Sequence, residues 1–123
     1  KNVNKVYSSP GFLPVFIFLK TSAVDVIRIN QLGYLPKSVK TAVFLSSDNR
    51  EIRSFTVHNA VSGEVVFTGK TESKPASQWG MKTAFRLNFS SIEKDGGYYI
   101  KAGETRSHDF RINADVYAGT ADF

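Results

Sequence analysis

Between Val24 and Asn113 the apolar residues of this 123-residue chain recur at every second position, and no ten-residue stretch there has the 3.6-residue spacing of a helix. Phe55 and Val57 alternate with Ser54, Thr56 and His58, and Phe85, Leu87 and Phe89 alternate with Ala84, Arg86 and Asn88. A strand points successive side chains to opposite faces, so each pattern describes a strand with one face buried. Ala42-Val43-Phe44-Leu45 is apolar on both faces and suits a central strand covered on both sides. Residues 59–63, Asn-Ala-Val-Ser-Gly, lead into Val65-Val66-Phe67-Thr68 as a hairpin with Gly63 at the strained position. Tyr98 to Ala102 and Ser107 to Ile112 form a last pair of strands around Gly103-Glu104.

About seven short strands within about ninety residues, separated by turn signals, predict an all-β, immunoglobulin-like β-sandwich. The Cys…Trp…Cys pattern of antibody domains is absent, so the prediction concerns architecture only. Sandwiches of this kind often bury a tyrosine at the corner before the penultimate strand, its hydroxyl bonded to upstream backbone. Tyr98 and Tyr99 both compete for that place. An inward Tyr99 would carry Lys101 inward with it, and an unpaired buried lysine is costly, so Tyr98 is expected inside.

One domain's worth of chain, 41% hydrophobic and 13% aromatic with ten Phe, excludes disorder. Without cysteine there is neither a disulfide framework nor a thiolate metal site. The net charge of +5 does not mark a nucleic-acid surface. Three of the sixteen basic residues, Lys1, Lys5 and Lys20, precede Val24, leaving thirteen, singly scattered, against eleven acidic ones. Lys1 and Lys5 precede a short apolar run, residues 11–19, which is followed by Thr21-Ser22-Ala23. Residues 1–23 therefore read as an export signal cleaved after Ala23; an extra N-terminal strand is the alternative. The run is too short to span a bilayer, and a lipid anchor on an N-terminal Cys is ruled out. The expected location is secreted or periplasmic. The sandwich is expected over 24–113. Residues 114–123 read as a linker and the start of a truncated helix, with an Asx residue, Asn113, before an acidic first turn and Val116, Thr120 and Phe123 at helical spacing.

No motif in the chain carries chemistry. His58 and His108 are fifty positions apart; His58 falls on a polar strand face, while His108 shares a face with Phe110 and Ile112 as a core-edge residue. Glu93 and Asp95 lie beside a glycine corner, where acids favour turns. Phosphate loop and nucleophile elbow are both missing. The expectation is no catalytic residue, no metal site and no cofactor. Trp79, in an irregular segment, has three readings: a lid on the core, an interface anchor, or a platform for a sugar ring.

Residues 27–36, Ile-Arg-Ile-Asn-Gln-Leu-Gly-Tyr-Leu-Pro, followed by Lys40-Thr41-Ala42-Val43, resemble the opening of the N-terminal immunoglobulin-like domain of family-nine glycoside hydrolases, the cellulase family. Residues 63–69 resemble that family's mid-domain hairpin, and Asn88-Phe89-Ser90-Ser91-Ile92 with residues 96–100 resemble its Phe-Ser…Gly-x-Tyr segment. Residues 107–112 and Asp115-Val116-Tyr117 resemble the last strand and the lead into the catalytic helices. The chain departs from the family at Asp95, where proline is frequent, and at Gly97, where threonine is common.

The resemblance implies a non-catalytic module that stabilises and orients a catalytic module acting on β-glucans. The catalytic residues would lie downstream, so none is carried over. The partner implied is the catalytic module of the same polypeptide, with β-glucan as a further ligand class and no nucleic acid. Tyr34, Leu35, Val116, Tyr117 and Phe123 are the expected interdomain contact. The opening segment also reads physically as a rigid corner. Gly33 can take a positive φ, Pro36 fixes its own φ, the Asn30 and Gln31 amides can bond backbone, and Tyr34 supplies a ring to bury. Two other functions remain open: a carbohydrate-binding module using Trp79, and an adhesin-type interaction domain.

Overall fold

A computed structural model describes residues 23–116, and Tyr117 and Phe123 lie outside that range. Eight strands follow in order: β1 (Asp25–Arg28), β2 (Thr41–Ser46), β3 (Ser54–Asn59), β4 (Val65–Lys74), β5 (Thr83–Asn88), β6 (Gly96–Ala102), β7 (Thr105–Arg106) and β8 (Phe110–Ile112). A single 3-10 turn, Ser77–Trp79, is the one helical element among the described residues. All strand pairings are antiparallel. The sheet order is β1-β2-β5-β4-β3-β6-β7, with β8 also on β6.

β4 makes the sheet curl. Its first part pairs with β3 from Val65 to Lys70, and its last four residues, Thr71 to Lys74, pair with β5. One strand thus passes from one layer of the sandwich to the other. At the passage the Thr71 amide donates to the Arg53 carbonyl at 3.1 Å, and the Thr71 hydroxyl donates to the Ile52 carbonyl. Facing layers bury Phe44, Phe55, Val57, Leu87, Phe89, Ile100 and Ile112 in one cluster, the inward sets of the alternating strands. A second, smaller cluster covers the outer face of β2, where Leu45, Ala76 and Ala84 are buried against Val26, Val43 and Met81. The doubly apolar Ala42–Leu45 run is indeed covered on both sides.

The tyrosine corner is as expected. Tyr98 is buried and its hydroxyl donates to the Lys94 carbonyl at 2.7 Å. Tyr99 faces outward, its ring stacked on His58 at 4.8 Å, with the Arg106 guanidinium 3.7 Å from its centroid. The final strand differs from expectation. Residues 107–109 leave the ladder between β7 and β8, because the Ser107 hydroxyl accepts the Ile100 amide and donates to the His108 carbonyl. Ser107 is therefore buried, and His108 is exposed rather than at the core edge.

Candidate functional site

The registers define two ends of the sandwich. Chain order begins at the Asp25 end, where Asp25 pairs with Ser46, and the last strand ends where Ile112 pairs with Gly96. This second end, the exit end, gathers the 30–40 corner, the β3–β4 hairpin, the 89–95 loop and residues 113–116.

The corner is closed by Tyr34. Its ring is buried, 5% exposed, and meets Phe89 and Phe110 edge-on at 5.0 and 5.4 Å. Such aromatic pairs contribute roughly 0.5–1.5 kcal/mol beyond area burial. Its hydroxyl accepts the Asn30 amide at 2.9 Å and donates to the Thr41 carbonyl at 2.8 Å, joining both feet of the corner. The Asn30 side chain accepts the Leu32 amide at 3.0 Å, and the Gly33 amide donates to the Asn30 carbonyl at 3.0 Å. Gly33 has φ +95°, a conformation that side chains other than glycine's adopt only with strain.

Beyond Gly33 the corner runs parallel to the chain's exit. The Tyr34 amide donates to the Arg111 carbonyl at 2.9 Å, and the Asn113 amide donates to the Tyr34 carbonyl at 3.0 Å. Asn113 Oδ1 accepts the Asp115 amide at 2.7 Å, as an N-cap would. Leu35, Pro36, Lys37, Ser38 and Ala114 line a shallow apolar depression between corner and exit. Of the expected contact residues, Leu35 is half-buried in its lining and Val116 is half-buried against Gly33, while the ring of Tyr34 belongs to the domain's own core.

Lys40, which the sequence reading did not single out, is fully buried under this corner. Its ammonium donates to the Pro36 carbonyl at 2.5 Å and the Ser38 carbonyl at 2.8 Å. Burial pulls its pKa below the ordinary value of 10.5, and the Glu93 carboxylate works against that shift. Glu93 itself pairs with Lys37 at 3.3 Å in solvent, an attachment worth little alone. The alternation that turns Ala42 and Phe44 inward also turns Lys40 inward, so the signal was present.

The remaining candidates are engaged in structure. His58 Nδ1 lies 2.9 Å from the Gly63 carbonyl and must donate to it, which leaves Nε2 to accept the Thr56 hydroxyl at 2.8 Å in the neutral ring. No three His, Cys, Asp or Glu side chains among the described residues converge as a metal site. No helix among them is long and apolar enough to cross a membrane. Trp79 is 36% exposed at the opposite end of the sandwich and outside both buried clusters. The lid over Leu45 is made instead by Ala76 and Met81, on either side of it.

A family model described as the cellulase N-terminal ig-like domain matches residues 22–107. The chain is 40% identical over 98 residues to the xyloglucan-specific endo-beta-1,4-glucanase BoGH9A of Bacteroides ovatus, which covers 80% of this chain and 16% of that protein. It is 32% identical over 98 residues to a cellulose 1,4-beta-cellobiosidase of Acetivibrio thermocellus, covering 75% of this chain and 11% of that protein. Among solved structures, one described as Bacteroides ovatus GH9 matches with a TM-score of 0.66 at 37% identity, over 79% of this chain and 17% of that one. The chain spans less than a fifth of the length of these relatives.

Proposed function

The chain belongs to the family of cellulase N-terminal immunoglobulin-like domains, and from that membership we propose that it braces the catalytic module of an exported β-glucan hydrolase. The observation that carries the reading is the clamp between corner and exit. Asn113 is hydrogen-bonded to Tyr34 and Gly33 lies against Val116, so the chain departs in a fixed direction beside the apolar depression at Leu35, Pro36 and Ala114. A fixed exit next to apolar surface suits a neighbour that must be held, not one on a flexible tether. Leu35 and Val116, with Tyr117 and Phe123 beyond the described residues, make the contact, and Tyr34 holds the corner from below. Contacts between domains of one chain bury roughly 600–1,500 Å².

Export fits the basic, apolar and small-residue order of residues 1–23. The sandwich's own bonding reaches back to Val24, whose amide donates to the Ser47 hydroxyl at 2.8 Å. An intact mass beginning at Val24 in the exported product is the expected result; a product retaining Phe16 to Phe18 counts against it.

The second reading, sugar binding, rests on the exposure of Trp79. Leu35→Ser and Trp79→Ala separate the two readings, made in this chain and in the polypeptide continued through its downstream module. Bracing requires Leu35→Ser to lower the melting temperature of the downstream module, and requires the chain alone to run unretarded through xyloglucan in an affinity gel. Retardation that Trp79→Ala abolishes would give the domain to sugar binding instead.

A further inference from the structure

The exit end exposes more apolar surface than the corner accounts for. Of the seven large hydrophobic side chains most exposed among the described residues, five are here: Leu32 and Val39 on the corner, and Val61, Val65 and Val66 on the β3–β4 hairpin. The other two, Val24 and Trp79, are at the opposite end. Val61 is 96% exposed at the hairpin tip. From Val65 to Lys70, β4 has β3 on one side and, among the described residues, no strand on the other, so within them Val65 and Val66 stand on a sheet edge. Free apolar edges invite pairing with other chains and are normally covered or charged. Beside this edge Val66, Phe67, Ile92 and Tyr98 line a cleft rimmed by Glu93, Lys94 and Asp95. The Lys37–Glu93 pair joins the cleft to the depression under Leu35.

Whatever is attached through Val116 is delivered to this end and away from the other. We infer that hairpin, cleft and corner form one docking surface, occupied by the module that follows Val116 in the same polypeptide. The inference rests on the bracing reading and extends it to a second, separately testable patch. The surface calls for an apolar ridge on the partner; its charges are mixed, with Glu93 already paired to Lys37 and Lys94 standing between Glu93 and Asp95. Trp79 takes no part in it.

The test is amide hydrogen exchange in this chain alone and in the polypeptide continued through its downstream module. In the longer polypeptide, amides of 60–66, 91–95 and of Leu35, Lys37 and Ser38 should all slow by about tenfold or more. If those of Leu35, Lys37 and Ser38 slow while 60–66 do not, this inference falls and the bracing reading stands; if none slow, both fall. Hairpin protection that appears in this chain alone and grows with its concentration would assign the surface to a second copy and overturn the proposal. Val61→Lys combined with Val65→Lys alters only exposed positions, so the isolated chain should melt unchanged. In the longer polypeptide the pair should erase the hairpin's protection, and retention of that protection would contradict the assignment.

Discussion

Gly33 lies directly beneath Val116: a Cβ built on Gly33 would stand 2.9 Å from Val116 Cγ1 and 2.8 Å from the Arg111 carbonyl oxygen. The first corner of the sandwich and the last residues of its exit are therefore packed with no room for a side chain between them. This contact holds Val116 over the corner, because it cannot move toward Gly33 without meeting backbone.

Gly33→Val should destabilise the domain by about 3 kcal/mol, combining the strain of φ +95° with overpacking against Val116. Chemical denaturation of the isolated chain measures it. An unchanged midpoint would mean that corner and exit are not clamped at this residue.

Lys40 makes the stability respond to alkaline pH. Its folded pKa lies below 10.5, so between that lowered value and 10.5 the folded state has released a proton that the unfolded state still binds. Stability from this group therefore rises with pH across that window. Against Lys40→Met, which keeps the stem but cannot titrate, the wild-type protein should gain ground as pH rises through it. A constant difference between the two denaturation curves would contradict the buried ammonium.

Tyr98 acts in the opposite direction. Burial, followed by the nearby Asp95 carboxylate, raises its pKa above 10.0, so above pH 10 the unfolded chain ionises first and stability falls as pH climbs through the folded value. Tyr98→Phe removes that alkaline loss. At neutral pH it costs about 1 kcal/mol through the lost bond to the Lys94 carbonyl. The two profiles should draw together above pH 10, and parallel profiles would contradict the assignment.

The purified chain should release no reducing ends from carboxymethylcellulose or xyloglucan. A glycosidase needs two carboxyl groups placed about a sugar, whereas Glu93 is tied to Lys37 and Asp95 lies exposed just before β6. Activity that survives repeated purification and co-migrates with the chain would refute this.

Period two in the sequence determined most of the strands and their inward residues, because a pleated backbone leaves a side chain only two directions. It distinguished Tyr98 from Tyr99, and turn chemistry located the Gly33 corner and the Gly63 hairpin. The resemblance in the opening corner and four later segments identified the family. Tertiary structure decided what depends on contacts between segments far apart in sequence. Lys40 turns inward in phase with Ala42 and Phe44, as alternation alone shows; what the fold adds is the local corner that places the Pro36 and Ser38 carbonyls to accept its hydrogen bonds. The phase of the last strand is broken because Ser107 finds the Ile100 amide, and His108 is exposed as a result. Trp79 leaves the lid to Ala76 and Met81, which pack in the cluster around Leu45. β4 joins both layers because β3 and β5 claim different halves of it. Alternation is a property of one strand and can be read from it. The identity of the neighbour is a property of the whole chain, since a hydrogen bond or a close contact needs two partners and the sequence lists each of them alone.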